Sequence, residues 1–131
     1  KEKIQWEMYS PEKLIQARAE GKPVIMDFYA DWCIPCHELD YFTYSNPKVI
    51  EVLNSFVRVK VNLTTSDISG VNDLVERFKV VGVPTIIFLD PDGREVEEAR
   101  VTGFVPPEDF LEILSSPRFQ SRSLPLSKEH Q

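Results

Sequence analysis

Cys33 and Cys36 are the only cysteines in the chain, and two residues separate them. On a helix, sulfurs at this spacing lie about one turn apart. They can close into a disulfide with each other, and another thiol can reopen it. The residues before them, Val24-Ile-Met-Asp-Phe-Tyr29, form an apolar, β-prone run interrupted by one acid, Asp27, and read as a buried strand. The residues after them, His37-Glu-Leu-Asp-Tyr-Phe42, can continue as a helix. Cys33 then falls at or just before a helix N-terminus, where unpaired N–H groups and the helix dipole favour negative charge. That setting lowers a thiol pKa and makes the sulfur nucleophilic near neutral pH. The pattern specifies a redox-active dithiol at a strand–helix junction.

Other chemistries use the same residues. Zinc takes four ligands, but the only histidines are His37 and His130 and there is no second cysteine pair; no metal is expected. Cys33-Ile-Pro-Cys36-His37 also matches a haem-attachment pattern, in which His37 would be one axial ligand and Met8 or Met26 the other. Met26 falls inside the expected strand, however, and haem attachment has no need of a buried strand carrying an acid. A purely structural disulfide over so short a loop would restrain the unfolded chain very little.

Within the dithiol reading, Cys33, nearest the helix start, is the attacking sulfur. Cys36 is the more buried thiol and resolves the mixed disulfide. Asp27, set among apolar neighbours, should have a raised pKa and is the candidate proton acceptor for Cys36. Glu38 and Asp40 follow within a turn or two and are either solvated helix charges or neighbours of the dithiol. Trp32 is either a lid over the sulfurs or core packing, His37 faces solvent, and Tyr29 and Phe104 line a partner groove or pack in the core.

The elements that must hold these residues follow from periodicity. The chain has 131 residues, 42% hydrophobic and 27% charged, with a net charge of −6; this fits one domain with a real core. The negative charge argues against nucleic acid as a partner and suits protein partners. No apolar run is long enough to insert into a membrane, and Lys1 to Glu7 shows no signal-peptide pattern. An edge strand is expected in Ile4–Tyr9, and a helix from Ser10 as N-cap and Pro11 to a stop at Gly21. The dithiol helix carries Leu39, Tyr41 and Phe42 and breaks near Asn46-Pro47, which opens a second turn with Val49, Ile50, Val52 and Leu53. Phe56–Val61 alternates apolar and basic residues, as a half-exposed strand does. After a polar loop over Leu63–Gly70, Ser69 or Asn72 opens a helix with Val71, Leu74, Val75 and Phe78. Ile86–Leu89 is a strand with Pro84 at its start, Asp90-Pro-Asp-Gly93 a turn, and Arg94–Val101 an antiparallel return. Pro106-Pro-Glu-Asp opens a last helix with Phe110, Leu111, Ile113 and Leu114. Residues 1–116 then form the domain, and 117–131 a polar, flexible tail. The order implies an α/β fold with a mixed sheet and helices on both faces.

Asp27, Ala30-Asp-Trp-Cys33-x-x-Cys36 and Gly82-Val-Pro-Thr85, in that order, resemble the thioredoxin superfamily from about Trp6 to Leu114. Within it, Tyr29-Ala-Asp-Trp-Cys33, Asn62-Leu-Thr64 and Ala99-Arg-Val-Thr-Gly-Phe104 closely resemble the C-terminal periplasmic domains of thiol:disulfide interchange proteins of the DsbD type. Ile34-Pro35 departs from that branch, since proline there is more typical of ordinary thioredoxins, and the dipeptide tunes redox poise. The resemblance implies a thioredoxin-like three-layer α/β/α sandwich with a mixed central sheet, and a cis bond before Pro84, which faces the dithiol. It implies a partner surface of Trp32, Ile34, Pro35, Val83 and Pro84, with Glu38 and Asp40 raising the thiol pKa. The implied activity is a monomeric thiol:disulfide oxidoreductase with no cofactor beyond the Cys33–Cys36 disulfide. It would act reductively on protein thiols and disulfides outside the cytoplasm, fed by a membrane-embedded electron donor. A freestanding thioredoxin-like reductase or isomerase, and a non-catalytic binding module using the groove by Val83-Pro84, are the alternatives.

Overall fold

The computed structural model describes residues 3–65 and 70–121. Five strands, β1 (Glu7–Met8), β2 (Val24–Tyr29), β3 (Val57–Asn62), β4 (Thr85–Leu89) and β5 (Val101–Thr102), form one sheet in the order β1-β3-β2-β4-β5. β1, β3 and β2 run parallel, whereas β4 is antiparallel to both β2 and β5. Among the described residues, five helices surround the sheet: α1 (Pro11–Ala19), α2 (Ile34–Glu38), α3 (Pro47–Leu53), α4 (Val71–Phe78) and α5 (Pro107–Leu114).

β2 reads as a continuous apolar run because both of its faces are covered. Ile25 shares one core with Leu39, Val49 and Leu53, and with Phe110 and Leu114 of α5. Val24, Met26 and Phe28 share the other with Ala17 of α1 and Val71, Leu74 and Phe78 of α4. Each such side chain contributes about 1.5–3 kcal/mol on burial. The result is the expected α/β/α sandwich with a mixed sheet. Its centre holds one anomaly: Asp27 lies in register with Lys60 of β3 and Ile86 of β4.

Several elements differ from expectation for identifiable reasons. The dithiol helix does not continue as an α-helix. After α2, residues Leu39–Thr43 form a π-helical turn closed by Tyr44 N–H to the Leu39 carbonyl at 2.8 Å. Five residues of α-helix would swing Tyr44 well away from the direction of Leu39, whereas the wider turn buries Leu39, Thr43 and Tyr44 together. Tyr41 and Phe42, carried with Leu39 on the expected helix, are left in solvent.

The strand expected over Arg94–Val101 is not formed as one piece. A single bridge joins Leu89 to Glu95, Glu97–Ala99 is a 3₁₀ turn, and only β5 resumes pairing. Strand periodicity from Val96 would turn Glu98 and Arg100 inward with it. The 3₁₀ turn buries Val96 and Ala99 instead and leaves Glu98 exposed. Gly93 supports the preceding turn with φ of 87°, a conformation that favours glycine.

Helix caps show the same mixture. Asn46 caps α3 through Oδ1, which accepts Lys48 N–H at 2.9 Å and Val49 N–H at 3.2 Å. Ser10 precedes α1, but its side chain makes no capping bond. Gly70, in a left-handed conformation, precedes α4 in place of Asn72; Ser69 lies outside the described residues, as does half of the expected polar loop. The edge strand shrinks to Glu7–Met8.

The first residues of the expected tail pack on the core. Pro117–Phe119 forms a 3₁₀ turn that buries Phe119, whose ring lies 5.2 Å from both Phe56 and Phe88 by centroids. Residues 122–131 of the expected tail lie outside the described residues. Phe119→Ala should therefore destabilise the protein by about 3 kcal/mol, seen as a lower urea midpoint at unchanged slope. A midpoint equal to the parent's would return residues 117–121 to the tail.

Candidate active site

β2 ends at Tyr29, and α2 begins five residues later at Ile34. Cys33 is the N-cap of α2, and its Sγ accepts the N–H of Cys36 at 3.1 Å. The two sulfurs are joined in a disulfide across a Cα separation of 5.3 Å. Neither cysteine is open to solvent: Cys33 is 3% and Cys36 4% exposed. The expected contrast of an accessible Cys33 and a shielded Cys36 is therefore absent in this oxidised state. Ala30, Tyr29 and Val83 pack around the pair and cover both residues.

The loop carrying the dithiol is anchored from β3. Asp31 N–H donates to Thr64 Oγ1, and Thr64 N–H to Asn62 Oδ1, both at 2.8 Å. His37 is exposed, with Nε2 2.6 Å from the Asp31 carbonyl oxygen. Among the described residues, no group of three or more His, Cys, Asp or Glu side chains is placed to hold a metal; His130 lies outside them.

The Val83–Pro84 bond is cis. Thr85 Oγ1 donates to the Gly82 carbonyl at 2.6 Å, and Gly103 N–H to the Pro84 carbonyl at 3.2 Å. Val83 itself packs on the cysteines, and its backbone has no hydrogen-bond partner among the described residues.

Asp27 is the buried acid expected. Its Oδ2 meets Lys60 Nζ at 2.9 Å, and the same ammonium meets Asp40 Oδ1 at 3.1 Å. Side-chain exposure along this chain of charges is 2% for Asp27, 12% for Lys60 and 51% for Asp40, so the cluster runs from the core to the surface. The rings of Trp6, Tyr29 and Tyr44 lie 4.8, 4.9 and 5.3 Å from the ammonium, within cation–π range. Burial raises the Asp27 pKa; the Lys60 charge opposes that rise without cancelling it, and Asp40 adds to it. Burial works against the Lys60 charge, but Asp27 and then Asp40 outweigh it and hold the lysine above its ordinary value. Burial, with Asp27 as the nearby charge, pushes the Tyr44 hydroxyl well up. The Tyr44 hydroxyl and Asp27 Oδ1 are both buried without a partner of good hydrogen-bonding geometry.

Lys60 is the site residue that the sequence reading missed. Alternation on β3 suggested a solvent-facing basic stripe, but parallel pairing sets Lys60 beside Asp27. Of the two acids expected near the dithiol, Asp40 joins this cluster and Glu38 stands exposed in solvent. Trp32 and Ile34 are largely exposed, which removes the core-packing reading of Trp32. Pro35 and Val83 are half-buried and Pro84 is buried. Tyr29 is half-buried and Phe104 exposed.

Known proteins resemble this chain in sequence and fold. The profile of the thioredoxin-like domain family matches residues 10–116. The thiol:disulfide interchange protein DsbD of Salmonella typhi is 45% identical over 94 residues, covering 72% of this chain and 16% of that protein. The chain thus spans about a sixth of the length of such relatives. The reduced C-terminal domain of Neisseria meningitidis DsbD superposes with a TM-score of 0.66 at 27% identity, covering 82% of this chain and 96% of that one. A thioredoxin from Thermus thermophilus superposes with a TM-score of 0.70 at 32% identity, covering 86% and 85%.

The raised Asp27 pKa fixes the sign of a stability effect. The folded state holds this proton more tightly than the unfolded chain does. Its contribution is therefore complete below the usual carboxylate range and is lost as pH rises through the folded pKa. Urea midpoints measured against pH should fall across that interval, and Asp27→Asn should flatten the fall. Lys60→Met should carry it to higher pH, and Asp40→Asn should move it lower. Identical profiles for the parent and Asp27→Asn would mean that the acid titrates normally.

Proposed function

The chain belongs to the thioredoxin-like domain family, and we propose that it is a thiol:disulfide oxidoreductase whose Cys33–Cys36 dithiol reduces disulfides of protein partners in an electron relay of the DsbD type. The observation that carries this reading is the disulfide itself, set at the start of α2 with Cys36 N–H on Cys33 Sγ. A thiolate at Cys33 would inherit that hydrogen bond, and no comparable donor serves Cys36 among the described residues. Cys33 is therefore the nucleophile.

In the reductive direction, the Cys33 thiolate attacks one sulfur of the partner disulfide. The partner S–S bond breaks, its other sulfur leaves as a thiolate, and a Cys33–partner mixed disulfide forms. Cys36 then gives its proton to the Asp27 carboxylate and attacks Cys33 Sγ. The mixed disulfide breaks, the partner leaves as a second thiolate, and the Cys33–Cys36 bond closes. Two electrons have passed to the partner, and the dithiol must be restored by a donor of two electrons. Asp27 suits proton transfer because burial raises its pKa above the ordinary carboxylate value while Lys60 favours its anion. Val83, packed on the cysteines and with its backbone unpaired among the described residues, offers an edge to an extended partner segment. Trp32, Ile34, Pro35 and Pro84 complete the partner surface, and Asp40, with Glu38 farther out, modulates the thiols.

The DsbD likeness supports an extracytoplasmic setting and a membrane-embedded electron donor; no helix among the described residues is long and apolar enough to cross a membrane. The superposition on a thioredoxin from Thermus thermophilus favours a second reading, a freestanding thioredoxin-like reductase. A measured reduction potential, together with an exchange assay against a membrane electron donor, separates the two.

Reduction of insulin by dithiothreitol should be accelerated by the parent protein; no acceleration would leave the binding-module reading. Cys33→Ser should abolish turnover, and Cys36→Ser should trap the partner as a mixed disulfide seen by mass spectrometry. Equal, modest losses from both would contradict the assigned roles. Asp27→Asn should slow resolution of the mixed disulfide about a hundredfold near pH 7, the lower end of what a positioned base contributes. An unchanged pH–rate profile would remove Asp27 from the mechanism.

A further inference from the structure

The π-helical turn after α2 leaves an apolar surface that the core does not use and that extends the partner surface beyond Ile34. Tyr41 is 74% and Ile34 70% exposed, and Phe42 is also open to solvent. The three line one concavity with His37, Glu38 and Asp40. Phe42 stacks edge-on against Tyr41 at 4.9 Å and against Phe104 at 6.1 Å between ring centroids, so the surface is continuous and its rings are held in place. One end adjoins the dithiol, since Ile34 follows Cys33 directly, and the other adjoins the cis-proline turn, since Phe104 follows Gly103, whose N–H bonds the Pro84 carbonyl. Apolar surface of this extent, rimmed by polar groups, marks contact with another molecule. A π-bulge at such a place is a common sign of function.

The rim identifies the occupant. Glu38 is exposed, Asp40 is half-exposed, and among the described residues the only cation bonded to either is Lys60, which Asp27 also claims. His37 faces the same concavity, with Nε2 turned to the Asp31 carbonyl. We propose that the Ile34–Tyr41–Phe42 concavity, backed by Phe104, is a second docking site that seats a bulky aliphatic side chain of the partner protein, flanked by a lysine or arginine that meets Glu38 and Asp40. The inference rests on the oxidoreductase reading and adds a specificity element beyond the groove at Val83 and Pro84. It selects among partner disulfides by the sequence around them.

The test uses the reduced protein and synthetic single-cysteine peptides carried as mixed disulfides with thionitrobenzoate, whose release is followed by absorbance. Three series place leucine with lysine, leucine with glutamate, or alanine with lysine at successive distances from the cysteine. At its best spacing, the leucine–lysine peptide should react about tenfold faster than the best of either other series. High salt should erase the lysine-over-glutamate preference and leave the leucine-over-alanine preference. Phe42→Ser, and Tyr41→Ser as a second variant, should remove the leucine preference as a ratio of rates, and Glu38→Gln should reduce the lysine preference. Equal rates across the series would overturn the site, as would preferences that survive both aromatic substitutions. Concentration-dependent dimerisation abolished by Phe42→Ser would also overturn it, because the surface would then be covered by a second copy. Failure to react with any peptide or with free dithionitrobenzoate would instead count against the oxidoreductase reading itself.

Discussion

A carboxylate in the middle of a sheet, covered by apolar layers on both sides, must be neutral or paired, because an isolated charge there is prohibitively costly. Asp27 is paired with Lys60, 2.9 Å away, and that pairing constrains β3. Lys60 and Arg58 share one face of the strand, while Val59 and Val61 fill the opposite core. Slipping β3 by one residue would bring a valine beside Asp27 and drive Lys60 into the apolar core. The ion pair and the apolar alternation therefore demand the same register. An apolar pair of similar volume would hold the sheet together at least as well. Stability alone therefore does not account for these charges, which fits the proton role proposed for Asp27.

The dithiol depends on a second constraint, the meeting of β2 and α2 within a few residues. The intervening loop is fastened by its own backbone, with Cys33 N–H on the Ala30 carbonyl at 3.2 Å and Asp31 held by Thr64. Thr64 is in turn oriented by Asn62 at the end of β3. β3 thus supplies both the cation beside Asp27 and the prop beneath the dithiol loop. Beyond α2, the wide turn at Leu39–Thr43 reconciles two demands on one helix: it starts at the sulfurs and still buries Tyr44 against Trp6 and Phe110.

These dependencies explain what could be read from the chain and what could not. The dithiol, the acid within β2 and the proline before β4 are local patterns, and each identified its residue without knowledge of pairing. Lys60 required the β2–β3 register, which nothing in Val57–Asn62 announces. The π-helical turn escaped because helical periodicity over Leu39–Phe42 fits an ordinary stripe until Tyr44 must also be buried. The return after Gly93 reads as a strand by composition, and only the positions of Glu98 and Arg100 betray that it cannot be one. Phe119 is a lone apolar residue in a polar segment. Its burial depends on Phe56 and Phe88, which are remote in sequence. In each case the missing information was a tertiary contact.

Asp40 belongs to both halves of the site. Its carboxylate touches the Lys60 ammonium that serves Asp27, and it also lines the concavity beside Ile34 and Phe42. Its negative charge helps raise the Asp27 pKa. A cation brought to Asp40 offsets that charge and lowers the proton affinity of Asp27, whereas an anion brought there raises it. Lys60 is mostly enclosed by protein and the rings of Trp6, Tyr29 and Tyr44, so solvent screens this coupling less than it would screen a surface pair. A charged group docked on the exposed face is therefore felt at the buried acid through one shared ammonium, with no change of backbone required.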